Sequence, residues 1–407
     1  MTNHRFLFAS VDSSPKVGGV SLLAKRVSKA LTDNYGAESV YLGPKGTYFL
    51  GDELPLKVYE DHQSETKLRA GEHSQAEDER IKNLALAIID NYLLDMVVLW
   101  HPFYYGPGLI AAAKERNIPT AVYVHGTELT SQIPDAKNGP VKFEYNPKST
   151  DLDQRLYSTI DQADVILTNS SYTAQLIENV VPHKKAFVVG CGIDASIFER
   201  ERDRQPSYSR VLKLMAREDL GLPERKTLIH TGRLVPHKNQ KRSIELMRYL
   251  TEAQLVIVGD GPDRGALEAL SEELGLTDRV FFLGQIDDEE KWNYLRASDA
   301  GLLISNFNEK TGGFEGFGIT MIEYTAAACA VISSGEYGMS DFAKKYECAF
   351  LALKDSEKLE ADAKKIKKFL ENETDLTEHI EKTRQISSRR FVWTEVARRI
   401  MRALDNV

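Results

Sequence analysis

The sequence has little cysteine and no long hydrophobic run. Its three cysteines, Cys191, Cys329 and Cys348, have no C-x-x-C or metal-ligand spacing and are too few for a disulfide framework, so we expect a reducing, cytoplasmic compartment. No stretch approaches the ~20 apolar residues that a membrane-spanning helix needs. The first residues lack the hydrophobic region of a signal peptide. We therefore expect a protein that is soluble or at most lies on a membrane surface.

An excess of positive charge is also absent. The chain has 52 Lys and Arg against 60 Asp and Glu, a formal net charge of −8, whereas general nucleic-acid binding needs a basic face. We therefore expect no nucleic-acid partner. Its 407 residues exceed what one ordinary hydrophobic core holds, so the length predicts two or three domains.

Apolar runs alternate with segments of helical periodicity along most of the chain. This alternation is typical of parallel α/β units. Strands are predicted near residues 5–10, 96–100, 120–124, 164–170, 227–230, 255–258, 280–284, 300–305 and 331–334. Two successive α/β halves, each with its own parallel sheet, imply a ligand-binding cleft between them.

The most informative stretch runs from residue 311 to residue 323. Four glycines surround the carboxylate of Glu315, and a second carboxylate, Glu323, follows within a predicted buried helix; the glycines are Gly312, Gly313, Gly316 and Gly318. A glycine-rich entry into a helix N-terminus suits a phosphate group. A carboxylate at such a place repels phosphate and more plausibly accepts hydrogen bonds from hydroxyls. Phosphate together with hydroxyls indicates a sugar nucleotide.

This stretch resembles the E-x7-E motif of retaining glycosyltransferases with the two-domain GT-B fold, most closely the GT4 family. The resemblance implies an α/β protein with two Rossmann-like domains facing across a cleft. Residues 1–200 would form the acceptor-side domain and residues 201–388 the nucleotide-sugar donor domain. Residues 389–407 would form a C-terminal helix that packs back on the N-terminal domain.

The resemblance also assigns roles to residues of the second half. Glu323 would hold the ribose hydroxyls and Glu315 the hydroxyls of the donor sugar, while Gly316, Phe317 and Gly318 would present main-chain N–H groups. Arg233 and Lys238 follow a predicted strand end, and we expect both cations on the diphosphate, where negative charge builds up during transfer. We see no credible metal cluster, and GT4 enzymes usually act without a metal.

Two histidines, His101 and His125, stand at the ends of consecutive predicted strands in the first half. Open α/β sheets bind ligands outside these strand ends. GT4 members have a histidine that matches His125, close to the reacting carbon, so we favour His125 over His101 as a catalytic residue. In the first loop, Gly18 and Gly19 would approach the donor site, or would merely permit a tight βα turn.

Several features depart from the family pattern or stay open. Asn239 stands where the family commonly has glycine, and the loop 306–314 looks longer than usual. A glycine and a proline are common where this chain has Ala328–Ile332. Two interpretations stay open for residues 259–261: they shape the edge of a pocket near the base of the nucleotide, or they form an ordinary βα turn. Asp151 and Asp153 resemble a metal-binding D-x-D, but an acidic helix start is the favoured interpretation.

We therefore predict a retaining, metal-independent hexosyltransferase without a cofactor, acting on a nucleotide-sugar donor for which family frequency favours UDP. The sequence does not identify the acceptor. Four classes of acceptor stay open: glycans, lipid-linked compounds, proteins and small molecules. One alternative is a non-catalytic GT-B-like subunit, although Arg233, Lys238, Glu315 and Glu323 are all present. Another is a different GT-B chemistry, such as a sugar-nucleotide epimerase or a phosphorylase.

Overall fold

The computed structural model describes residues 4–10, 19–45, 57–63, 74–139, 151–205, 207–351 and 358–405. The chain forms two compact units. The first comprises Met1–Cys191 and Trp393–Val407, and the second comprises Gly192–Val392.

The first unit contains a seven-stranded parallel sheet with the strand order β3-β2-β1-β4-β5-β6-β7. The strands are β1 Arg5–Ala9, β2 Glu38–Pro44, β3 Lys57–Asp61, β4 Met96–Leu99, β5 Thr120–Val124, β6 Val165–Thr168 and β7 Ala186–Val188. The central strands β4, β5 and β6 are buried along their whole length. Helices cover both faces of such a sheet, so its strands are continuous apolar runs.

The helices of the first unit mostly alternate with its strands. They are α1 Gly19–Tyr35, α2 Gln75–Tyr92, α3 Gly106–Glu115, α4 Thr127–Gln132, α5 Asp151–Gln162 and α6 Ser171–Val180. Serine hydroxyls cap two of them: Ser74 accepts a hydrogen bond from the N–H of Glu77, and Ser170 accepts one from the N–H of Thr173. Asp151 opens α5, as the helix-start interpretation of the D-x-D pattern predicts.

The second unit contains a six-stranded parallel sheet with the strand order β10-β9-β8-β11-β12-β13. Its strands are β8 Lys226–Thr231, β9 Ala253–Val258, β10 Val280–Gly284, β11 Ala300–Leu303, β12 Ala330–Ser333 and β13 Phe350–Leu351. One hydrophobic core, which includes Leu228, Leu255 and Ile332, packs between the sheet and the helices.

The helices of the second unit mostly alternate with its strands. They are α7 Ala195–Arg204, α8 Arg210–Asp219, α9 Gln240–Leu246, α10 Arg264–Glu273, α11 Asp288–Ala297, α12 Ile319–Ala326, α13 Leu359–Glu371 and α14 Glu373–Arg390. None of the helices that the structure describes in either unit is both long and apolar enough to cross a membrane.

The boundary between the two units lies after Cys191, whereas the sequence predicted it after residue 200. The reason is α7, which belongs to the second unit. Its Glu201 side chain is completely buried and accepts hydrogen bonds from Arg296 at 3.0 and 3.2 Å. A buried carboxylate needs such a partner, and this ion pair holds α7 to α11.

The last helix, α15 Trp393–Leu404, belongs to the first unit. It packs against α1 and buries Val396, Ala397 and Ile400. Its Arg399 guanidinium donates a hydrogen bond to the carbonyl of Val189 at 3.1 Å. The amphipathic pattern of this helix therefore finds its apolar partner in the N-terminal part of the chain.

A buried polar network holds α8 to the second sheet. The Lys213 ammonium donates to the carbonyls of Ser298 at 2.5 Å and Arg296 at 3.2 Å. The Asp299 carboxylate accepts hydrogen bonds from Arg217 and from the N–H of Thr227. Burial lowers the pKa of Lys213 to about 8, from its ordinary value of 10.5. A charged lysine in this place therefore carries a desolvation penalty.

This penalty predicts a pH dependence of stability. Between the two pKa values of Lys213, the unfolded chain binds more protons than the folded chain, so the free energy of unfolding rises with pH. From about pH 7 to about pH 9, Lys213 should contribute about 1 kcal/mol of added stability. Urea unfolding of wild type and Lys213→Met at both pH values measures this difference.

The exposed Lys364→Met is the matched control, because its ammonium forms a surface pair with Glu360. It should keep the pH dependence of wild type. An equal pH dependence in Lys213→Met and wild type would contradict the assignment.

Candidate functional site

The candidate site residues of the second unit lie at one edge of its sheet. The strands are parallel, so their carboxyl ends share that edge, where open α/β sheets bind ligands. Arg233 and Lys238 lie in the loop after β8, and Glu315 lies in the loop after β11. The fold therefore brings together residues that are about 80 positions apart in sequence.

Two glycines allow the loops after β8 and β9 to touch. A Cβ atom at Gly259 would overlap the carbonyl oxygen of Gly232, and one at Gly261 would overlap the carbonyl oxygen of Leu234. The N–H of Gly232 also donates to the carbonyl of Val258 at 2.9 Å. Loop packing alone therefore explains both glycines, which favours the ordinary-turn interpretation of residues 259–261.

Lys238 and Glu315 form an ion pair between the loops after β8 and β11. Their side chains are 18% and 12% exposed, so both charges are largely removed from water. Opposite charges at contact distance offset the cost of that burial. The sequence predicted both residues at the site but not that they bind each other.

Asn239 has φ 59° and ψ 38°, the left-handed conformation that glycine adopts most easily. Asparagine tolerates this conformation better than most residues. Its side-chain amide also donates to the carbonyl of Ile304 at 3.2 Å. The departure from the family's glycine is therefore accommodated, and Asn239 adds a contact between the same two loops.

The loop 306–314 is closed on itself by Asn308. Its N–H donates to the carbonyl of Gly313 at 2.8 Å, and its side-chain oxygen accepts hydrogen bonds from the N–H groups of Lys310 and Thr311, each at 3.0 Å. The N–H of Asn306 donates to the carbonyl of His237 at 2.9 Å. The loop is thus a compact turn attached to the segment that carries Lys238.

The backbone around Glu315 is held by a second loop, which follows β12. The N–H of Gly338 donates to the carbonyl of Glu315 at 3.0 Å. A Cβ atom at Gly338 would overlap the carbonyl oxygen of Gly316. The position of the Glu315 backbone therefore depends on a glycine that the sequence did not single out.

Phe317 and Gly318 have structural reasons for their identity. The Phe317 side chain is 4% exposed, and its ring packs against Phe391 with 5.7 Å between the ring centroids. Gly318 has φ 93° and precedes α12, and a Cβ there would press against Leu303. The side chain of Phe317 belongs to the core, so only its main chain is available to a ligand.

The start of α12 has unpaired hydrogen-bonding groups. In the described part of the chain, the N–H groups of Gly316, Phe317 and Gly318 donate to no protein acceptor. The hydroxyl of Thr320 is buried and likewise has no partner. Buried polar groups are nearly always paired, so this cluster is prepared for an external acceptor. Thr320 was not predicted from the sequence.

Glu323 lies in α12, and its carboxylate accepts a hydrogen bond from the ammonium of Lys291 at 3.0 Å. Lys291 belongs to α11 and was not predicted from the sequence, because it follows Asp288, Glu289 and Glu290 and resembles a solvated helix-surface lysine. Only the folded chain brings its side chain within hydrogen-bond distance of Glu323 in α12.

Arg233 differs from Lys238 in its environment. Its side chain is exposed, and it forms no ion pair with any described residue. The pKa of His237 nearby is lowered, first by burial and then by the charges of Lys238 and Arg233, against the opposing effect of Glu315. Together these residues form a locally basic loop with one guanidinium available to an anion.

In the first unit, His125 follows β5 and is held at three points. Its Nε2 donates to the carbonyl of Trp100 at 2.8 Å, because a carbonyl oxygen can only accept. Its backbone N–H donates to the Glu128 carboxylate at 2.6 Å, and its carbonyl accepts from Asn169 at 3.0 Å. Glu128 was not predicted from the sequence as a site residue.

His101 lies beside His125, with 6.1 Å between the ring centroids. Burial lowers the pKa of His101 to about 4, and the neighbouring His125 adds to this effect against the opposing charge of Glu128. His101 is therefore neutral at neutral pH. Of the two first-loop glycines, Gly19 is the first residue of α1, and Gly18 lies outside the described residues.

Among the described residues, no group of three or more His, Cys, Asp or Glu side chains is arranged to hold a metal ion.

Two family models match the chain. Residues 17–197 match Glycosyltransferase Family 4, and residues 215–386 match Glycosyl transferases group 1. The two matches together span most of the chain, which therefore belongs to the glycosyltransferase families of the GT4 type. This result confirms the resemblance seen in the sequence.

Curated relatives are glycosyltransferases as well. The chain is 29% identical over 183 residues to the GDP-mannose-dependent alpha-(1-6)-phosphatidylinositol monomannoside mannosyltransferase of Mycobacterium tuberculosis, covering 44% of this chain and 46% of that protein. It is 25% identical over 256 residues to the alpha-monoglucosyldiacylglycerol synthase of Streptococcus pneumoniae, covering 62% and 54%. The chain thus spans about half the length of these relatives.

Solved structures share the fold. HepE of Anabaena in complex with UDP has a TM-score of 0.72 at 17% identity, covering 99% of this chain and 100% of that one. Sucrose-phosphate synthase of Thermosynechococcus elongatus has a TM-score of 0.75 at 18% identity, covering 99% of both chains. The predicted GT-B fold class is confirmed.

The backbone contact at Gly338 predicts a specific effect of an added methyl group. Gly338→Ala should displace the Glu315–Gly316 backbone and lower the affinity for a nucleotide ligand at least about tenfold, because a shift of about 1 Å in a binding group is costly. Isothermal titration with nucleoside diphosphates measures the affinity, and thermal unfolding reports whether the second unit stays folded.

Gly265→Ala is the control. Gly265 lies in α10 with no atom near its missing Cβ, so alanine there should leave binding unchanged and stabilise the helix by up to about 1 kcal/mol. Wild-type affinity in the Gly338 variant would show that the contact does not position the site.

Proposed function

We propose that the chain is a retaining hexosyltransferase that moves a sugar from a UDP-sugar to an acceptor hydroxyl without a metal ion. The observation that carries this proposal is the ion pair of Lys238 with Glu315, next to the unpaired N–H groups at the start of α12. One cluster thus offers groups for a phosphate and a carboxylate for sugar hydroxyls.

Two cations, Arg233 and Lys238, are assigned to the leaving nucleoside diphosphate. Negative charge builds up on the nucleoside diphosphate as the glycosyl bond breaks, and fixed cations and N–H donors stabilise that charge. Arg233 is exposed and Lys238 lies in the same loop, so both are assigned to the diphosphate. Lys238 would then exchange its present partner, Glu315, for a phosphate oxygen.

Two carboxylates, those of Glu315 and Glu323, are assigned as acceptors of hydrogen bonds from the donor's hydroxyl groups. Release of Lys238 frees the Glu315 carboxylate to accept hydrogen bonds from the donor sugar. Glu323, eight residues further on and within α12, is assigned to the ribose hydroxyls. The N–H groups of Gly316, Phe317 and Gly318 and the hydroxyl of Thr320 are assigned to the phosphates, where the positive end of the helix adds a favourable field.

The choice of UDP rests on the known proteins. HepE was crystallised with UDP and with UDP-glucose, whereas the mycobacterial relative depends on GDP-mannose. The acceptor is unassigned. One relative is a phosphatidylinositol monomannoside mannosyltransferase and another is a monoglucosyldiacylglycerol synthase. A lipid acceptor, with contact to a membrane surface, is therefore the first class to test. The roles of His125 and Gly19 stay predictions, as does the cytoplasmic location.

The test is a thermal-shift panel of UDP-, GDP- and ADP-sugars, measured with EDTA and with added Mg²⁺. We expect the UDP-sugar to raise the melting temperature most, equally in both buffers. Glu323→Ala should remove most of that shift, because the ribose loses its acceptor, while the surface variant Glu360→Ala should keep it. Failure of every nucleotide sugar to stabilise wild type would refute the proposal.

The Lys238–Glu315 ion pair predicts that loss of either partner impairs catalysis, whereas only loss of Lys238 weakens product binding. Glu315→Ala should abolish detectable transfer, yet UDP should bind at least as tightly as in wild type, because Lys238 loses its competing partner. Lys238→Ala should weaken UDP binding and lower turnover by about 100- to 1000-fold.

Turnover is measured as UDP release from the preferred donor, and affinity by titration with UDP. Wild-type turnover in the Glu315 variant would remove this residue from the site. Weaker UDP binding in that variant would instead show that Glu315 supports the phosphate contacts indirectly.

A further inference from the structure

Lys291 connects two helices at the edge of the candidate donor site. Its ammonium lies 3.0 Å from Oε1 of Glu323 in α12 and 3.1 Å from a carboxylate oxygen of Asp288 in its own helix. Its side chain is 20% exposed, so it is directed along the protein surface and not into solvent. The sequence gives no role to this residue, and the proposed function does not use it.

The two partners of Lys291 are unequal. Asp288 is 92% exposed, and ion pairs at the surface contribute little. The Glu323 side chain is 16% exposed, and within the described ranges Glu323 forms no other ion pair. The contact with Glu323 is therefore the stronger constraint on the Lys291 side chain, because both charges of this pair are largely buried.

The charge state of Lys291 is consistent with this contact. Burial acts to lower the pKa of Lys291, but the carboxylates of Glu323 and Asp288 outweigh it and raise the pKa above its ordinary value. The ammonium is thus protonated at neutral pH and donates to Glu323 throughout the range in which enzymes of this kind are assayed.

We propose that Lys291 is a positioning residue that holds Oε1 of Glu323 and so presents the other carboxylate oxygen, Oε2, to the ribose of the donor nucleotide. This inference rests on the assignment of Glu323 to the ribose hydroxyls. A glutamate side chain has three rotatable bonds, and one fixed oxygen removes most of that freedom before the ligand arrives. The ammonium also offsets a negative charge that would otherwise face an anionic nucleotide.

This role predicts recognition of the ribose 2′-hydroxyl that depends on Lys291. Wild type should bind a ribonucleoside diphosphate about tenfold more tightly than its 2′-deoxy counterpart, which corresponds to one charge-assisted hydrogen bond. In Lys291→Met the two affinities should become nearly equal, chiefly through weaker binding of the ribonucleotide. Lys291→Arg should restore most of the difference, because a guanidinium also donates to Oε1.

The experiment is isothermal titration with UDP, GDP and ADP and with the 2′-deoxy form of whichever binds most tightly. The ratio of the two dissociation constants is the readout, because a general loss of stability does not change it. Lys364→Met, which breaks a surface pair with Glu360 at 2.8 Å, is the matched control and should keep the wild-type ratio. Thermal unfolding confirms that each variant is folded.

The outcomes separate this inference from the proposed function. If wild type binds no nucleoside diphosphate, the proposed function fails. If wild type binds one and distinguishes ribose from deoxyribose, but Lys291→Met retains the same ratio, the positioning role of Lys291 is overturned. That role is also overturned if wild type binds both forms equally, or if Lys291→Arg behaves like Lys291→Met.

Discussion

The ion pair between Lys238 and Glu315 is the interaction on which the candidate site depends. It joins the loops that follow β8 and β11, and both side chains are largely buried. Removal of one partner would leave the other charge in a poorly solvated place, which is much less favourable than the intact pair. Two contacts of the surrounding loops hold this pair in place. The N–H of Gly338 donates to the carbonyl of Glu315, and the side-chain amide of Asn239 donates to the carbonyl of Ile304.

The same arrangement occurs twice at this edge of the sheet. Glu315 is paired with Lys238, and Glu323 is paired with Lys291; in each case the lysine comes from a different element than the glutamate. A donor diphosphate is an anion, and two unpaired carboxylates would repel it. For the sugar nucleotide proposed as donor, a lysine on each glutamate would keep the hydroxyl acceptors while it reduces that repulsion. Under the proposed function, the two pairs therefore reconcile opposite electrostatic demands.

Much of the fold was readable from local patterns. The predicted strand at residues 120–124 coincides with β5, because a buried parallel strand is an unbroken apolar run. The predicted strand at residues 280–284 coincides with β10, an edge strand whose middle residues are half-buried but apolar. The strands β2, β3, β7 and β13 were not predicted. The last is two residues long, and β3 carries charged residues, so neither has a strong apolar signal. The division between the units also differed, because the buried ion pair of Glu201 with Arg296 decides where α7 belongs.

Local sequence was enough to establish the class of protein and most of the donor-site candidates, because residue type and short spacing around Glu315 and Glu323 encode a glycine loop followed by a helix. Which charges meet was settled by the folded chain alone. In the sequence, Lys291 resembles any surface lysine, Gly338 resembles any turn glycine, and Thr320 resembles any helix residue. Their place near the candidate site becomes visible only when the parallel sheet brings its strand ends together. Pairing across loops depends on distances between segments far apart in sequence, and no local pattern of residues contains those distances.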